Sequence, residues 1–184
     1  DNKKQRGWLD VLKEKGERLL NCLPNKIKPL PVDEKLNKNP IYRFLLREVA
    51  VVSKLLIKVR SDLKNLISVS KGESKFTNEL REIAKLIYID SVPKSWQVYP
   101  SLELNSNEWI LDFKCRIKHL TTISEDKDFG KNGLWLGGLI FPEAYLTATR
   151  QSVAQLLNVS LDELMLSVEI VKKVGILADR KSVV

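Results

Sequence analysis

The chain has 184 residues, enough for one compact domain or two small helical subdomains, and its 43% apolar content excludes wholesale disorder. Its longest apolar runs fall short of the roughly 20 residues of a membrane span, and two scattered cysteines exclude a disulfide framework. The start DNKKQRGWLD lacks the apolar stretch of a secretory signal, so we expect a reduced, cytoplasmic protein without a membrane partner.

The net charge of +8 raises the question of an acidic partner such as nucleic acid. The 31 basic residues are, however, interleaved with 23 acidic ones along the predicted helices, which is typical of a solvated surface. Zinc-finger spacing and RNP-type aromatic motifs are absent from the sequence. Nucleic-acid binding is therefore not expected.

The first elements in chain order are a helix and an extended connector. Apolar residues at helical spacing predict a helix from Trp8 to Leu20. Prolines then remove backbone donors and fix φ, so the lysine-rich stretch that follows should be extended. These prolines are Pro24, Pro29, Pro31 and Pro40. The connector is the best internal boundary of the chain.

The clearest periodic signal is an apolar seam with the spacing of a coiled-coil face. Its members alternate in steps of four and three residues: Leu45, Val49, Val52, Leu56, Val59, Leu63 and Leu66. We predict one helix from Ile41 to Val69, begun by the first-turn proline Pro40 and about 43 Å long. A seam of this length exceeds what a small bundle covers, so it is expected to lie across several partner elements.

A basic stripe lies opposite this seam on the helical wheel. Its members are Arg43, Arg47, Lys54 and Lys58. Like charges four residues apart repel by a few tenths of a kcal/mol, so the stripe has a small local cost. One interpretation is a solvated face, and the other is a surface that meets an acidic neighbour in a larger assembly.

Two further helices are predicted in the middle of the chain. Gly72 should end the long helix, and a helix from Phe76 to Ile87 should follow it. Ser106 is the expected N-cap of a helix from Asn107 to Thr121. The polar, glycine-punctuated stretch Ser124–Gly133 is expected to be a mobile surface loop. The tryptophans Trp8, Trp96, Trp109 and Trp135 are interpreted as core anchors.

The segment from Leu134 to Met165 predicts a tightly packed helical module. Trp135 and the glycines Gly137 and Gly138 indicate a close backbone approach or a positive φ, since glycine lacks a Cβ. Pro142 suits the first turn of a helix. Buried positions on this helix are expected at Ala144, Leu146, Ala148, Val153, Ala154 and Leu157.

The end of the chain predicts one more short helix and little β-structure. Ser160 and Glu163 match a capping box. Short strands are expected at Leu134–Leu136 and Leu166–Val171, since the latter is rich in β-branched residues. The predicted fold class is mainly α, a helical bundle with one long helix and at most a few short strands near the C-terminus.

The residues that could carry chemistry do not form a site. Asp112, Cys115 and His119 share a helix face, but Asp112 and His119 are about 10.5 Å apart along the axis, beyond the reach of a catalytic triad. Cys22 is the only other Cys or His, which leaves a zinc site short of ligands. The DFG tripeptide and the Gly130-Lys131 pair lack the surrounding kinase and phosphate-loop residues. We expect no catalytic residue, metal or cofactor in this chain.

Several stretches together resemble the C-terminal region of cytoplasmic dynein heavy chains. They are NPIYRFLLREVAVVSKLLIKVRSDLKNLI, KGESKFTNELREI, VPKSW, WILDFKCRIKHL and GGLIFPEAYLTATRQSVAQ. They occur in the family's order and at similar intervals, and the resemblance covers about Asn39 to Glu169. Each stretch is unspecific, whereas the ordered combination is specific.

The resemblance implies a segment of a minus-end-directed microtubule motor, in the cytoplasm and on the cytoskeleton. Residues 1–75 would be the helical end of the sixth AAA+ module with its junction, and residues 76–184 the proximal C-terminal region. The segment would pack on the AAA+ ring of the same heavy chain, whose modules bind ATP and Mg²⁺ upstream and whose motor binds microtubules. The sequence ends before the β-barrel of many members, as in short, fungal-type dyneins or in a truncated chain.

The residues singled out as interaction sites are Arg43, Arg47, Lys54, Lys58, Trp135, Gly137, Gly138 and Pro142. The expected role is to couple movements of the ring modules to ATP hydrolysis elsewhere. The alternative is an independent helical adaptor whose basic helix face binds an acidic protein or nucleic acid. A small enzyme is the third interpretation, and the missing active site counts against it.

Overall fold

The computed structural model describes residues 2–31, 33–101, 103–126 and 133–169. These residues form five α-helices, and the prediction of a mainly α fold is confirmed. The helices are α1 (Asn2–Cys22), α2 (Pro40–Ser70), α3 (Asn78–Tyr88), α4 (Ser106–Glu125) and α5 (Pro142–Leu157). None of the helices in the described ranges combines the length and the apolar character of a membrane span.

Two compact units divide the chain. The first unit comprises the residues up to Ile27 together with Val52–Ile117, and the second comprises Lys28–Val51 together with the residues from Lys118 onward. One division point, between Ile27 and Lys28, lies within the proline-rich connector. Helices α2 and α4 contribute residues to both units.

The long helix α2 begins and ends within one residue of its predicted bounds. Asn39 Oδ1 accepts a hydrogen bond of 2.9 Å from Ile41 N–H, and Pro40 occupies the first turn, where its missing donor costs nothing. Gly72, at φ +78°, ends the helix in the left-handed conformation that favours glycine. All seven seam residues are at most 5% exposed, so the predicted buried face is confirmed.

Helices α1 and α3 pack against each other in the first unit. The indole of Trp8 lies 5.9 Å from the ring of Phe76, and Gly16 lets α1 approach Ile67 of α2. Phe76 precedes α3 instead of belonging to it. The helix begins one residue after Thr77, whose side chain accepts from Leu80 N–H, so this predicted boundary was wrong by two residues.

The N-cap of α4 is Asn105, so the prediction of Ser106 was wrong by one residue. Asn105 Oδ1 accepts from Glu108 N–H, and a carboxylate oxygen of Glu108 accepts from Asn105 N–H, each at 3.0 Å. This reciprocal pair of hydrogen bonds satisfies two backbone donors at the start of the helix. Ser106 is instead the buried first residue of the helix.

An aromatic cluster forms the core of the first unit. Trp109 lies at its centre, with ring centroids 5.5 Å from Trp96, 5.7 Å from Tyr99 and 5.0 Å from Phe113. Trp96 and Trp109 are fully buried, as core anchors should be, whereas Trp8 and Trp135 are only half-buried. The indole N–H of Trp96 donates a 2.9 Å hydrogen bond to Asp62 Oδ2, which satisfies a donor that water cannot reach.

Predicted strands are absent from the described part of the C-terminal region. Leu134 makes an isolated bridge, and residues 136–138 form a short 3-10 turn in place of a strand. Residues 166–169 have no regular structure, and Ile170 and Val171 lie outside the described residues. Of the expected loop Ser124–Gly133, the first two residues belong to α4, and residues 127–132 lie outside the described residues.

Candidate functional site

The basic stripe on α2 is largely engaged by the chain itself. In the second unit, Arg43 donates to the carbonyl oxygen of Asn37 at 2.8 Å, and so holds the connector that precedes the helix. The guanidinium of Arg47 lies 4.6 Å from the ring centroid of Phe141, the geometry of a cation–π contact. Each of these two arginines therefore has a structural contact.

The two lysines of the stripe lie in the first unit and differ in their surroundings. Lys58 Nζ lies 2.8 Å from Asp62 Oδ1 and 2.7 Å from Glu79 Oε1. Burial lowers the pKa of Lys58, but its hydrogen bonds to these two carboxylates outweigh that effect and raise it above its usual value. Lys54 is exposed, and no carboxylate among the described residues lies within 4 Å of its ammonium.

Trp135 and the two glycines after it form one packed turn in the second unit. A Cβ on Gly138 would lie 2.7 Å from Cδ2 of the Trp135 indole, well inside van der Waals contact. A Cβ on Gly137 would lie 3.1 Å from the indole nitrogen. Neither glycine has a positive φ, so the close approach is the reason for glycine here. Trp135 N–H also donates to His119 Nε2 at 3.2 Å, which ties the turn to α4.

Pro142 begins α5, as predicted, and the residues around it attach α5 to α2. Glu48, 1% exposed, accepts a hydrogen bond from Ile140 N–H through its carboxylate. The rings of Phe44 and Tyr145 meet edge to face at 5.5 Å. With the Arg47–Phe141 contact, these interactions form what we call the α2–α5 junction: Phe44, Arg47, Glu48, Ile140, Phe141 and Tyr145.

The junction contains a buried carboxylate that the sequence interpretation missed. Glu48 and Asp62 are the two acidic residues of α2, and both are at most 5% exposed. At 100° per residue both fall on the side of the wheel that carries the apolar seam, which is the signal that could have identified them. Buried charges require partners, and the structure gives each a donor: Ile140 N–H for Glu48, and Trp96 and Lys58 for Asp62.

The end of α5 exposes apolar side chains that were predicted to be buried. Ala148 and Ala154 are buried, but Val153 and Leu157 are exposed, so the predicted inward face is wrong in its last turns. The prediction failed because helical spacing identifies an apolar face without identifying what covers it. We call the exposed apolar residues of the last turns of α5 and of the segment that follows it the C-terminal apolar surface. Its members are Val153, Leu156, Leu157, Leu161, Met165, Leu166 and Val168.

The C-terminal apolar surface is held together locally. Arg150 donates to the carbonyl oxygens of Leu161 at 3.0 Å and Leu164 at 3.2 Å, which fastens the following segment to α5. Ser160 caps the short 3-10 turn Leu161–Glu163 by accepting from Asp162 N–H. The predicted capping box would need the N–H of Glu163 instead, so a turn begins here but without that box. Leu156 is 83% exposed and Met165 is 95% exposed.

The residues tested for chemistry have structural partners. Asp112 Oδ2 accepts from Arg116 Nε at 2.7 Å, whereas His119 Nε2 accepts from the backbone of Trp135. Burial, helped by the charge of Asp112, raises the pKa of Tyr99 far above its usual value, so this phenol stays protonated at neutral pH. In the ranges that the structure describes, His, Cys, Asp and Glu do not gather in threes in a way that could hold a metal ion.

Comparison with known proteins identifies a protein family that matches this sequence. The family described as the C-terminal domain of the dynein heavy chain matches residues 2–181. The protein is 46% identical over 168 residues to the cytoplasmic dynein heavy chain of Paramecium tetraurelia, and the match covers 90% of its length. It is 40% identical over 154 residues, or 83% of its length, to the cytoplasmic dynein heavy chain of Dictyostelium discoideum.

A ciliary relative is more distant than these cytoplasmic ones. The ciliary dynein beta chain of Heliocidaris crassispina is 29% identical over 167 residues, which cover 89% of the sequence. The protein spans only 3–4% of the length of these three polypeptides. The similarity therefore concerns one segment of much longer polypeptides.

Proposed function

Since the protein belongs to the family of C-terminal domains of dynein heavy chains, we propose that it is a non-catalytic structural and regulatory segment of a minus-end-directed microtubule motor. In this proposal the segment packs on AAA+ modules of the same heavy chain. Those modules bind ATP and Mg²⁺ elsewhere in the polypeptide, and the whole motor binds microtubules in the cytoplasm. The greater identity to the cytoplasmic relatives than to the ciliary one supports the cytoplasmic assignment.

The observation that carries the proposal is the C-terminal apolar surface. Soluble monomers rarely leave large apolar patches in water, and such patches mark contacts with other proteins or domains. Here seven large apolar side chains within residues 153–168 are exposed, and Arg150 holds the two parts of this segment together. A surface of this kind suits a segment that completes a larger assembly.

Helix α2 is the element that would transmit movement. It is 31 residues long, or about 46 Å at 1.5 Å per residue, and its apolar seam is buried along its whole length. Packed helices move as rigid bodies during hinge and shear transitions. A rigid rod tied to α5 through Glu48 and Arg47 would couple the ring modules that it contacts to ATP hydrolysis elsewhere.

The sequence-based division of the chain belongs to the same proposal. Residues 1–75 would include the helical end of the last AAA+ module and its junction with the long helix. Residues 76–184 would be the proximal C-terminal region. Trp135, Gly137, Gly138 and Pro142 would then form the turn that presents α5 to the ring.

The test replaces the two exposed leucines at the end of α5 in the complete heavy chain. Leu156→Ser with Leu157→Ser should leave the segment folded, since both side chains already face water. We expect slower stepping or a lower thermal stability of the motor. The matched control is Leu111→Ser with Val98→Ser, two exposed apolar residues of the first unit. ATPase activity, velocity and stability equal to the wild type for the α5 variant would refute the proposal.

The alternative of an independent adaptor predicts a different result. A basic face that bound nucleic acid through about six phosphate contacts would lose roughly 10³-fold in affinity between 50 and 200 mM salt. Arg43, Arg47 and Lys58 of the stripe already contact their own chain, which leaves little of the stripe for such binding. A steep salt dependence of nucleic-acid binding by the isolated protein would favour the adaptor.

A further inference from the structure

The exposed face of α2 within the first unit has an unusual composition. Its exposed residues are Lys54, Ile57, Ser61, Lys64 and Asn65. Both carboxylates of the helix are buried, so this face carries positive charge without any acidic residue. Ile57, 69% exposed, lies between the two lysines along the helix. We call this face the Lys54–Lys64 strip.

The charges of the strip have no partner within the described part of the chain. No carboxylate there lies within 4 Å of the ammonium group of Lys54 or Lys64, whereas the neighbouring Lys58 has two. A helix face that serves only solubility usually carries both signs of charge, because oppositely charged side chains four residues apart stabilise the helix. The strip combines unpaired lysines with an exposed β-branched apolar side chain instead.

We propose that the Lys54–Lys64 strip is the docking site for an acidic segment of a protein partner. Lys54 and Lys64 are ten residues apart, or about 15 Å along the helix axis. A partner helix lying antiparallel would place two carboxylates about ten residues apart opposite the lysines. An apolar side chain between them would cover Ile57 and remove it from water.

Charge complementarity favours an acidic protein over nucleic acid at this strip. A phosphate backbone is followed by a continuous row of cations, and base contacts require aromatic or hydrogen-bonding side chains. The strip offers two lysines with an isoleucine between them. Arg47, the nearest arginine that precedes the strip on α2, is held over Phe141. The apolar centre with a charged rim is the composition of a protein–protein contact.

The inference goes beyond the proposed function, because the C-terminal apolar surface plays no part in it. A photo-cross-linking amino acid at position 57 of the complete heavy chain tests it directly, and position 111 on α4 is the control. Leu111 is also exposed and apolar, so both positions accept the reagent without loss of the fold. The product is digested, and the attached peptide is identified by mass spectrometry.

We expect position 57, and not position 111, to capture a protein segment with at least two Asp or Glu residues. Lys54→Glu with Lys64→Glu should reduce that product about tenfold or more, since like charges then face each other. Lys94→Glu with Lys114→Glu makes the same change in net charge at exposed positions outside α2, and should leave the product unchanged.

Three results would overturn the inference. The first is a cross-link yield at position 57 that does not exceed the yield at the control position 111. The second is a cross-link to nucleic acid or to a protein segment that lacks carboxylates. The third is a cross-link whose yield is unchanged when the charges of the strip are reversed. A failure of the proposed function would show itself separately, in the Leu156 and Leu157 variants of the motor. The cross-link reports on the contact and is independent of motor velocity.

Discussion

Substituting Gly138 by alanine should test the packing of the turn before α5. The nearest atom to a Cβ at this position is Cε3 of the Trp135 indole, followed by Cδ2 at 2.7 Å and Cζ3 at 2.8 Å. Carbon atoms in contact normally lie about 3.5–4.0 Å apart, so the indole or the backbone has to move by more than about 1 Å. Gly138 has an ordinary negative φ, so steric overlap is the whole effect.

The expected cost of Gly138→Ala follows from overpacking. Forcing an extra methyl into a filled site typically costs about 1–3 kcal/mol, partly offset by the entropy that alanine removes from the unfolded chain. We therefore expect a loss of about 1–2 kcal/mol in the free energy of unfolding. For a chain of this size, this corresponds to roughly 2–8 °C in Tm.

Urea unfolding followed by tryptophan fluorescence measures this cost. Gly137→Ala is the matched control, because its Cβ would meet only the edge of the same ring at 3.1 Å, and its effect should be smaller. In a Trp135→Ala background the overlap is gone, so Gly138→Ala should then cost nothing. Equal costs of Gly138→Ala with and without the indole would refute the reasoning.

Three further predictions concern the first unit. Asp62→Ala should cost about 3 kcal/mol in urea unfolding, since it leaves the buried N–H of Trp96 without an acceptor and breaks a half-buried ion pair. A cost below about 1 kcal/mol would contradict this. Gly7→Ala should stabilise the chain by about 0.5–1 kcal/mol, because alanine has a higher helix propensity than glycine. Gly16→Ala should not stabilise it, because the added Cβ would press against Ile67. Equal gains in the free energy of unfolding for the two variants would count against this close approach. The hydrogen bond from Lys58 lowers the pKa of Glu79, so the carboxylate stabilises the fold at neutral pH and loses this effect as the pH falls through that pKa. The difference in urea midpoint between the wild type and Glu79→Gln should shrink as the pH falls through this lowered pKa. A difference that stays constant from neutral pH down to acid unfolding would exclude the pair as its cause.

Local patterns sufficed to predict most of the helical fold. The i, i+3, i+4 seam predicted α2 to within one residue, because burial of that face dominates the energetics of a long helix. Pro142 and Gly72 marked helix ends for steric reasons that depend only on neighbouring backbone. The N-cap of α4 was wrong by one residue because Asn105 and Ser106 are both good caps, and the carboxylate of Glu108 decides between them.

The junction and the apolar surface were beyond such patterns for two different reasons. Ile140 and Glu48 are 92 residues apart in the sequence, and no local spacing indicates that they meet. Leu157 has the spacing of a core residue, and spacing cannot distinguish burial within the chain from burial against another surface. The same holds for Leu156 and Met165, whose exposure only the folded structure revealed.

The most direct test of the central claim is the oxidation rate of Met165, the single methionine of the sequence. Its side chain is 95% exposed in the C-terminal apolar surface, so dilute peroxide should oxidise it in the isolated protein about as fast as in a short peptide. If that surface packs on the rest of the heavy chain, mass spectrometry should show at least about tenfold slower oxidation of Met165 in the complete motor. Equal rates in the isolated protein and the complete motor would contradict the account.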